Sequence, residues 1–237
     1  MLDILAFGVH PDDIELGAGG TIIKHIKNGY KVGLIDLTRG EMGTRGDQNI
    51  RQREAENACN IIGADFRLNL NMEDAFISVN KDNVLKIVNV LRKYQPKLVL
   101  CNAIKDRHPD HAIASTLVSK ACFTSGLSKL ITKDGDIVQK PHRPDAVYHY
   151  IQDKWIDPDF IVDITNEFDT KIKAVKAYQS QFYNPESKEP ETPISSKEFL
   201  DTIESKARIL GRSIKTKYGE GFTVESPIGT NNLFDIF

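Results

Sequence analysis

The stretch Phe7-Gly8-Val9-His10-Pro11-Asp12-Asp13 follows directly on an apolar run, Leu2 to Phe7, and its reading decides the fold. So short and hydrophobic a run predicts a parallel strand buried on both faces, with His-Pro-Asp-Asp where that strand should end. In open α/β sheets, ligands bind in the crevice outside the carboxyl ends of the strands, so a histidine and two carboxylates stand where chemistry is done. Pro11 has no N–H and a fixed φ, so the chain leaves the sheet at a set angle and a turn can bring His10 and Asp13 together. An imidazole nitrogen and a carboxylate oxygen are typical ligands of Zn²⁺, whose catalytic sites usually have three protein ligands and one open position. Asp12 then points elsewhere in the same pocket, and a second carboxylate beside a metal-bound water is suited to be a general base.

A related motif, Lys105-Asp106-Arg107-His108-Pro109-Asp110-His111, follows a second strand pattern, Leu98-Val99-Leu100-Cys101, and precedes a helical pattern from Ala112 to Ala121. A parallel sheet brings equivalent strand ends face to face, and His111 in the first turn of its helix completes a candidate His10, Asp13, His111 metal triad. His108 is left free for chemistry, with Asp110 near enough in sequence to orient it. Either copy alone reads as a turn with a helix cap. Two copies after strand-like runs, carrying three of the six histidines, favour a metal site. A His-Asp-His set accepts Fe²⁺ nearly as well as Zn²⁺.

Working outward, further strands are expected at Lys31 to Leu37, Phe66 to Leu70, Ala146 to Gln152 and Phe160 to Ile164. Helices are expected over Ile50 to Ile62 and around Val84, Leu85, Val88 and Leu91. Strands alternating with helices at these lengths imply right-handed crossovers and a mostly parallel, doubly wound α/β sheet. Gly17-Ala18-Gly19-Gly20-Thr21 resembles a dinucleotide fingerprint, but Ile22 occupies the third glycine position. A turn that packs closely beside the metal motif is the better reading. The loop Thr38 to Asp47 should border the crevice, and Arg51, in the first turn of the next helix, is the better candidate for a substrate contact. Thr124 to Arg143 is polar and irregular, with Asp134-Gly135 as a turn, and His142 and His149 read as non-ligands.

Later, Thr165 or Asn166 should cap a helix bearing Phe168, Ile172 and Val175. Asn184 to Pro193 is a proline-rich, acidic linker or flap, and Ser195 with Glu198 forms a possible capping box for a last helix through Leu210, closed by Gly211. The tail Tyr218 to Phe237 is aperiodic but aromatic, which points to packing on the body or on another subunit, so a homo-oligomer is expected. The 237 residues are read as one domain, with a helical and tail extension from about 184.

Net charge is −2 with acids and bases interspersed, so nothing calls for nucleic acid or an anionic membrane. Neither a spanning apolar stretch nor a signal peptide is found. Three cysteines, Cys59, Cys101 and Cys122, sit in apolar patterns with no CxxC spacing, which places them as reduced thiols in a cytoplasmic protein.

The order His-Pro-Asp-Asp, Gly-Gly-Thr, Thr-Arg-Gly-Glu with Gly-Thr-Arg-Gly, Arg-x-x-Glu and His-Pro-Asp-His resembles the LmbE/PIG-L family of zinc-dependent N-acetylglucosamine deacetylases, over most of the chain through residue 115. The ending Tyr-Gly-Glu-Gly-Phe and Pro-Ile-Gly-Thr-Asn-Asn-Leu-Phe looks like its bacillithiol-making bacterial branch. The resemblance implies a Rossmann-like fold, metal ligands His10, Asp13 and His111, Asp12 as base, and His108 as the group that stabilises the transition state. It also implies an amino-sugar substrate, with N-acetylglucosaminyl malate first and N-acetylglucosamine or a chitooligosaccharide as the alternative. For the malate carboxylates, Arg51 and Arg107 are the nearest cations by position. A sugar- or metal-binding protein without turnover is the rival of another class, but such a protein has no use for an unligated Asp12.

Overall fold

The computed structural model describes residues 1–235. The apolar runs become β1 (Ile4–Gly8), β2 (Val32–Thr38), β3 (Phe66–Met72) and β4 (Leu98–Cys101), alternating with α1 (Asp13–Lys27), α2 (Gln48–Ile62), α3 (Lys81–Tyr94) and α4 (Pro109–Ser125). A small hairpin, β5 (Lys133–Asp134) and β6 (Ile137–Val138), lies within the segment expected to be irregular. Then come β7 (Ala146–Tyr150), β8 (Phe160–Asp163), α5 (Phe168–Lys176), α6 (Lys197–Ser213) and β9 (Gly219–Val224).

The main sheet has the order β3-β2-β1-β4-β7-β9-β8. β1 pairs in parallel with β2 and β4, and β4 with β7, whereas β9 runs antiparallel between β7 and β8. Period-2 alternation sends Leu5 and Phe7 into one core, beneath α3 and α4, and Ile4 and Ala6 into the other, beneath α1 and α2. Both faces of β1 are therefore covered, which is why its sequence is apolar without alternation. The mostly parallel, doubly wound α/β sheet expected from the sequence is present.

The register sets Ile4 opposite Leu98 and Ala6 opposite Leu100, so the carboxyl ends of β1 and β4 lie side by side where the strand order reverses. That is the crevice position of open α/β sheets.

Several local expectations change. Gly17, Gly19 and Gly20 lie inside α1, not in a turn. A Cβ at Gly17 would come within 2.1 Å of the Tyr150 ring, and one at Gly20 within 2.8 Å of Ile164, so these glycines let the helix lie against β7 and the end of β8. Ser196, not Ser195, caps α6 by accepting from Phe199 N. Ser195 instead closes a turn with Thr192. Glu167 precedes α5, and Thr165 hydrogen-bonds to Asp163. α6 runs on through Gly211, where the backbone of Tyr218 approaches to 2.7 Å of any Cβ.

The largest change is in the tail, whose residues 219–224 form β9 within the sheet. Beyond it Leu233 and Phe234 are exposed and do not pack on the body, and Ile236 and Phe237 lie outside the described residues. No helix among the described residues is long and apolar enough to cross a membrane.

Candidate active site

Residues just past the strand ends converge at the reversal point. Asn102, fully buried after β4, accepts from Val9 N (2.9 Å) and donates to Asp13 Oδ2 (2.9 Å) and to Gln152 Oε1 (2.9 Å). Gln152, after β7, donates to Asp13 Oδ1 (2.9 Å), and His10 N–H donates to Oδ2 (2.9 Å). Both oxygens of Asp13 are thus held by neutral donors from three strand ends.

The two imidazoles named with Asp13 turn towards it. His10 Nδ1 is 3.7 Å from Asp13 Oδ2, and His111 Nε2 is 3.2 Å from Oδ1, with ring centroids 5.7 Å apart. The opposite nitrogen of each ring is held by another carboxylate: His10 Nε2 by Asp74 Oδ1 (3.0 Å) and His111 Nδ1 by Asp106 Oδ2 (2.5 Å). Carboxylates on the far nitrogen are the usual device that aims a metal-ligating histidine. His108 joins them, since His10, His108 and His111 each offer a nitrogen within 4.8 Å of the others. A second donor group, His10 with Asp74 and Asp110, shares His10. The three imidazoles stand among the carboxylates of Asp13, Asp74, Asp106 and Asp110, and this mixed nitrogen and oxygen donor set suits a divalent cation.

Burial works to lower the pKa of His10, but Asp110, Asp74 and Asp13 overcome it and raise it to about 9. At His111 burial is likewise outweighed, by Asp13 and Asp106, and the pKa rises to about 10. Asp13 goes the other way: despite its burial, His111 and His10 hold it far below the usual carboxylate range. His108 is lowered by burial and by the neighbouring imidazoles of His10 and His111.

Asp12 precedes α1 but does not cap it. Its φ of 120° is one that L-residues rarely adopt, and strain of this kind concentrates at functional positions. The twisted backbone turns its carboxylate to Arg51 Nη2 (3.2 Å), which also donates to Pro11 O (2.7 Å). Burial pushes the Asp12 carboxyl up to about 7, against the opposing pull of Arg51.

Asp110, Arg51 and Arg107 each have an internal partner that the sequence does not reveal. Asp110 does not hold the His108 ring: its carboxylate accepts from Ala75 N and lies 3.7 Å from His10 Nε2. What holds His108 is the backbone N–H of Asp110, which donates to Nδ1 (3.3 Å), so Nδ1 is unprotonated and Nε2 carries the proton. Arg51 is buried and engaged with Asp12, and Arg107 is ion-paired to Asp153 (2.5 Å). Both arginines still line the cavity, of about 320 Å³, that opens over the site.

Asp74, Asp106, Asn102 and Gln152 escaped the sequence reading. Asp106 sits inside the second motif, and the other three lie just past strand ends, which is the only signal that could have marked them. Among the described residues, His149 and His142 are not in the grouped donors. His149 is buried and bonded to Asn102 O (3.0 Å) and Glu225 (3.1 Å).

Residues 5–122 match the family described as PIG-L, GlcNAc-PI de-N-acetylase. The chain is 31% identical over 189 residues to a diacetylchitobiose deacetylase of Thermococcus kodakarensis, covering 76% of this chain and 70% of that one. It is 27% identical to a 4-oxalmesaconate hydratase of Pseudomonas putida (75% and 73% covered). A probable N-acetyl-α-D-glucosaminyl L-malate deacetylase of Bacillus cereus is 25% identical (75% and 83% covered). A conserved protein from Thermus thermophilus has the same fold, with a TM-score of 0.86, 33% identity and 97% of each chain covered. The motif-bearing strand ends fall within the matched segment, and by sequence and fold together the chain belongs to the PIG-L family of deacetylases.

Proposed function

We propose that the protein is a metal-dependent N-deacetylase of neutral saccharides containing N-acetylglucosamine, with His10, Asp13 and His111 as the ligands. The observation that carries this reading is Asp12: a buried carboxylate, held by Arg51 and engaged with none of the three clustered imidazoles, on the wall of the cavity that those imidazoles line. Zn²⁺ or Fe²⁺ at these ligands would supply Lewis acidity and a water of lowered pKa. Asp12 takes the proton from the attacking water and later gives it to the departing amine, so one group serves both half-steps. His108, neutral with its proton on Nε2, donates a hydrogen bond to the oxyanion as the carbonyl becomes tetrahedral. Acetate and an amino sugar are the products.

The choice of a neutral saccharide rests on the cations that line the cavity. Arg51 is paired with Asp12, Arg107 with Asp153 and Lys171 with Glu220, while Lys206 Nζ donates to the carbonyls of Gln152 and Asp153. Three of the four are paired with a carboxylate, and Lys206 alone, held by two neutral carbonyls, keeps an unneutralised charge, so a malate dicarboxylate finds one such cation among the described lining residues and not two. The higher identity to the diacetylchitobiose deacetylase points the same way. A cytoplasmic setting fits three buried, unpaired cysteines.

The test is amine release from diacetylchitobiose, N-acetylglucosamine and N-acetylglucosaminyl malate, with and without a chelator. Diacetylchitobiose should be turned over faster than the malate conjugate, and the chelator should abolish both reactions. Chelator-resistant turnover would remove the metal from the mechanism, and a preference for the malate conjugate would reverse the substrate choice. Failure of all three amides would leave water addition, the chemistry of the hydratase relative, as the competing reading.

A further inference from the structure

The cavity does not end at the imidazoles. On α6, Phe199, Ile203, Ala207 and Leu210 recur at helical spacing and line its inner wall, and Leu16 and Ile151 line it as well. Leu16 is three residues beyond Asp13, and Ile151 adjoins Gln152, which holds Asp13, so this apolar compartment begins at the metal turn. Ile151, Ala207 and Leu210 are buried, whereas Arg107, which lines the same cavity, is exposed and pairs with the half-buried Asp153, so these two mark its polar mouth. Three charges line the cavity beside these side chains: Lys206 Nζ donates to the carbonyls of Gln152 and Asp153, while Lys171 and Glu220 are engaged with each other (2.6 Å), with Leu16 O, and with the N–H groups of Gly20 and Thr21. The last two hold α1 in place and offer little to a ligand.

An amide bound at the imidazoles has two arms. The sugar, with its hydroxyls, suits the polar, solvated mouth. The acyl group then points inward, where an acetyl methyl would touch only the first of six apolar side chains.

We propose that the inner compartment is an acyl-chain subsite, and that the enzyme hydrolyses N-acylglucosamines with acyl groups longer than acetyl, an inference that rests on the amide-hydrolase reading above. The reaction balances as for acetyl: the water oxygen bonds to the acyl carbon, the C–N bond breaks, and the proton held by Asp12 passes to the nitrogen. A medium-chain carboxylate leaves with the free amine. Each added methylene that enters the compartment should raise kcat/KM roughly fourfold until the wall is reached.

The metal-loaded enzyme is assayed for amine release from N-acetyl-, N-butyryl- and N-hexanoylglucosamine. The hexanoyl substrate should exceed the acetyl one in kcat/KM by about tenfold or more, and hexanoate should raise the melting temperature more than equimolar acetate does. Ala207→Phe, which fills the middle of the wall, should lower the hexanoyl-to-acetyl ratio at least tenfold. If that variant does not fold, Ile203→Phe, one turn away, carries the same test. A wild-type hexanoyl rate below the acetyl rate, or a ratio unmoved by the filling variant, overturns the subsite while leaving the deacetylase standing. Absence of amine from every substrate overturns the deacetylase reading itself.

Discussion

Asp12 and Asp13 are neighbours in sequence, yet their carboxyls are set apart. The φ of 120° at Asp12 turns its side chain to Arg51, while Asp13 stays with Asn102, Gln152 and His111. Exchange of Asp12 for Asn keeps the shape and removes the proton acceptor. It should cost about 10²–10⁴ in kcat, with bound metal and circular dichroism unchanged. A metal stoichiometry that fell along with the activity would instead make Asp12 a ligand. Asp106 plays a different part: bonded to His111 Nδ1, it fixes the ring whose other nitrogen faces Asp13. Asp106→Ala should therefore weaken metal binding about 10- to 100-fold in chelator competition, a loss that Asp110→Ala should not match at His111.

Among the elements, α1 and β9 depend on each other. Glu220 of β9 accepts from the N–H groups of Gly20 and Thr21 within α1, and Lys171 of α5 joins it from the side. Removing one member of so buried a pair leaves an uncompensated charge, so Glu220→Ala should destabilise by about 3–5 kcal/mol in urea unfolding. Gly17→Ala should also destabilise, by about 1–3 kcal/mol, because its methyl would meet the Tyr150 ring. The sequence made β1, β2 and β4 legible because each is an apolar run buried on both faces, and it pointed to His10, Asp13 and His111, which the structure brings close together, because motifs carry them. β9 was hidden because Gly-Glu-Gly-Phe-Thr-Val has neither an apolar run nor clean alternation; it is a strand through pairing with partners 56 to 76 residues away in the chain. Asp74, Asn102 and Gln152 were hidden for a related reason: a single polar residue past a strand end acquires its role only when the sheet sets three such ends together.

Across the whole molecule, Cys59, Cys101 and Cys122 are buried, and burial raises the pKa of each. The native protein should react slowly with a thiol reagent, and all three should titrate at once in denaturant. The exposed Leu233 and Phe234 keep the homo-oligomer as a proposal. Light scattering should give a multiple of the monomer mass, and removing residues 228–235 should lower it. Finally, β9 is an inner strand of the sheet although it is encoded after every other strand. During synthesis, β7 and β8 must wait with unsatisfied edges until residues 219–224 clear the ribosome, and Lys171 waits with them for its carboxylate. A nascent chain stalled before that point should be protease-sensitive and inclined to pair its open edges with other chains, so the sheet closes only once residues 219–224 are available.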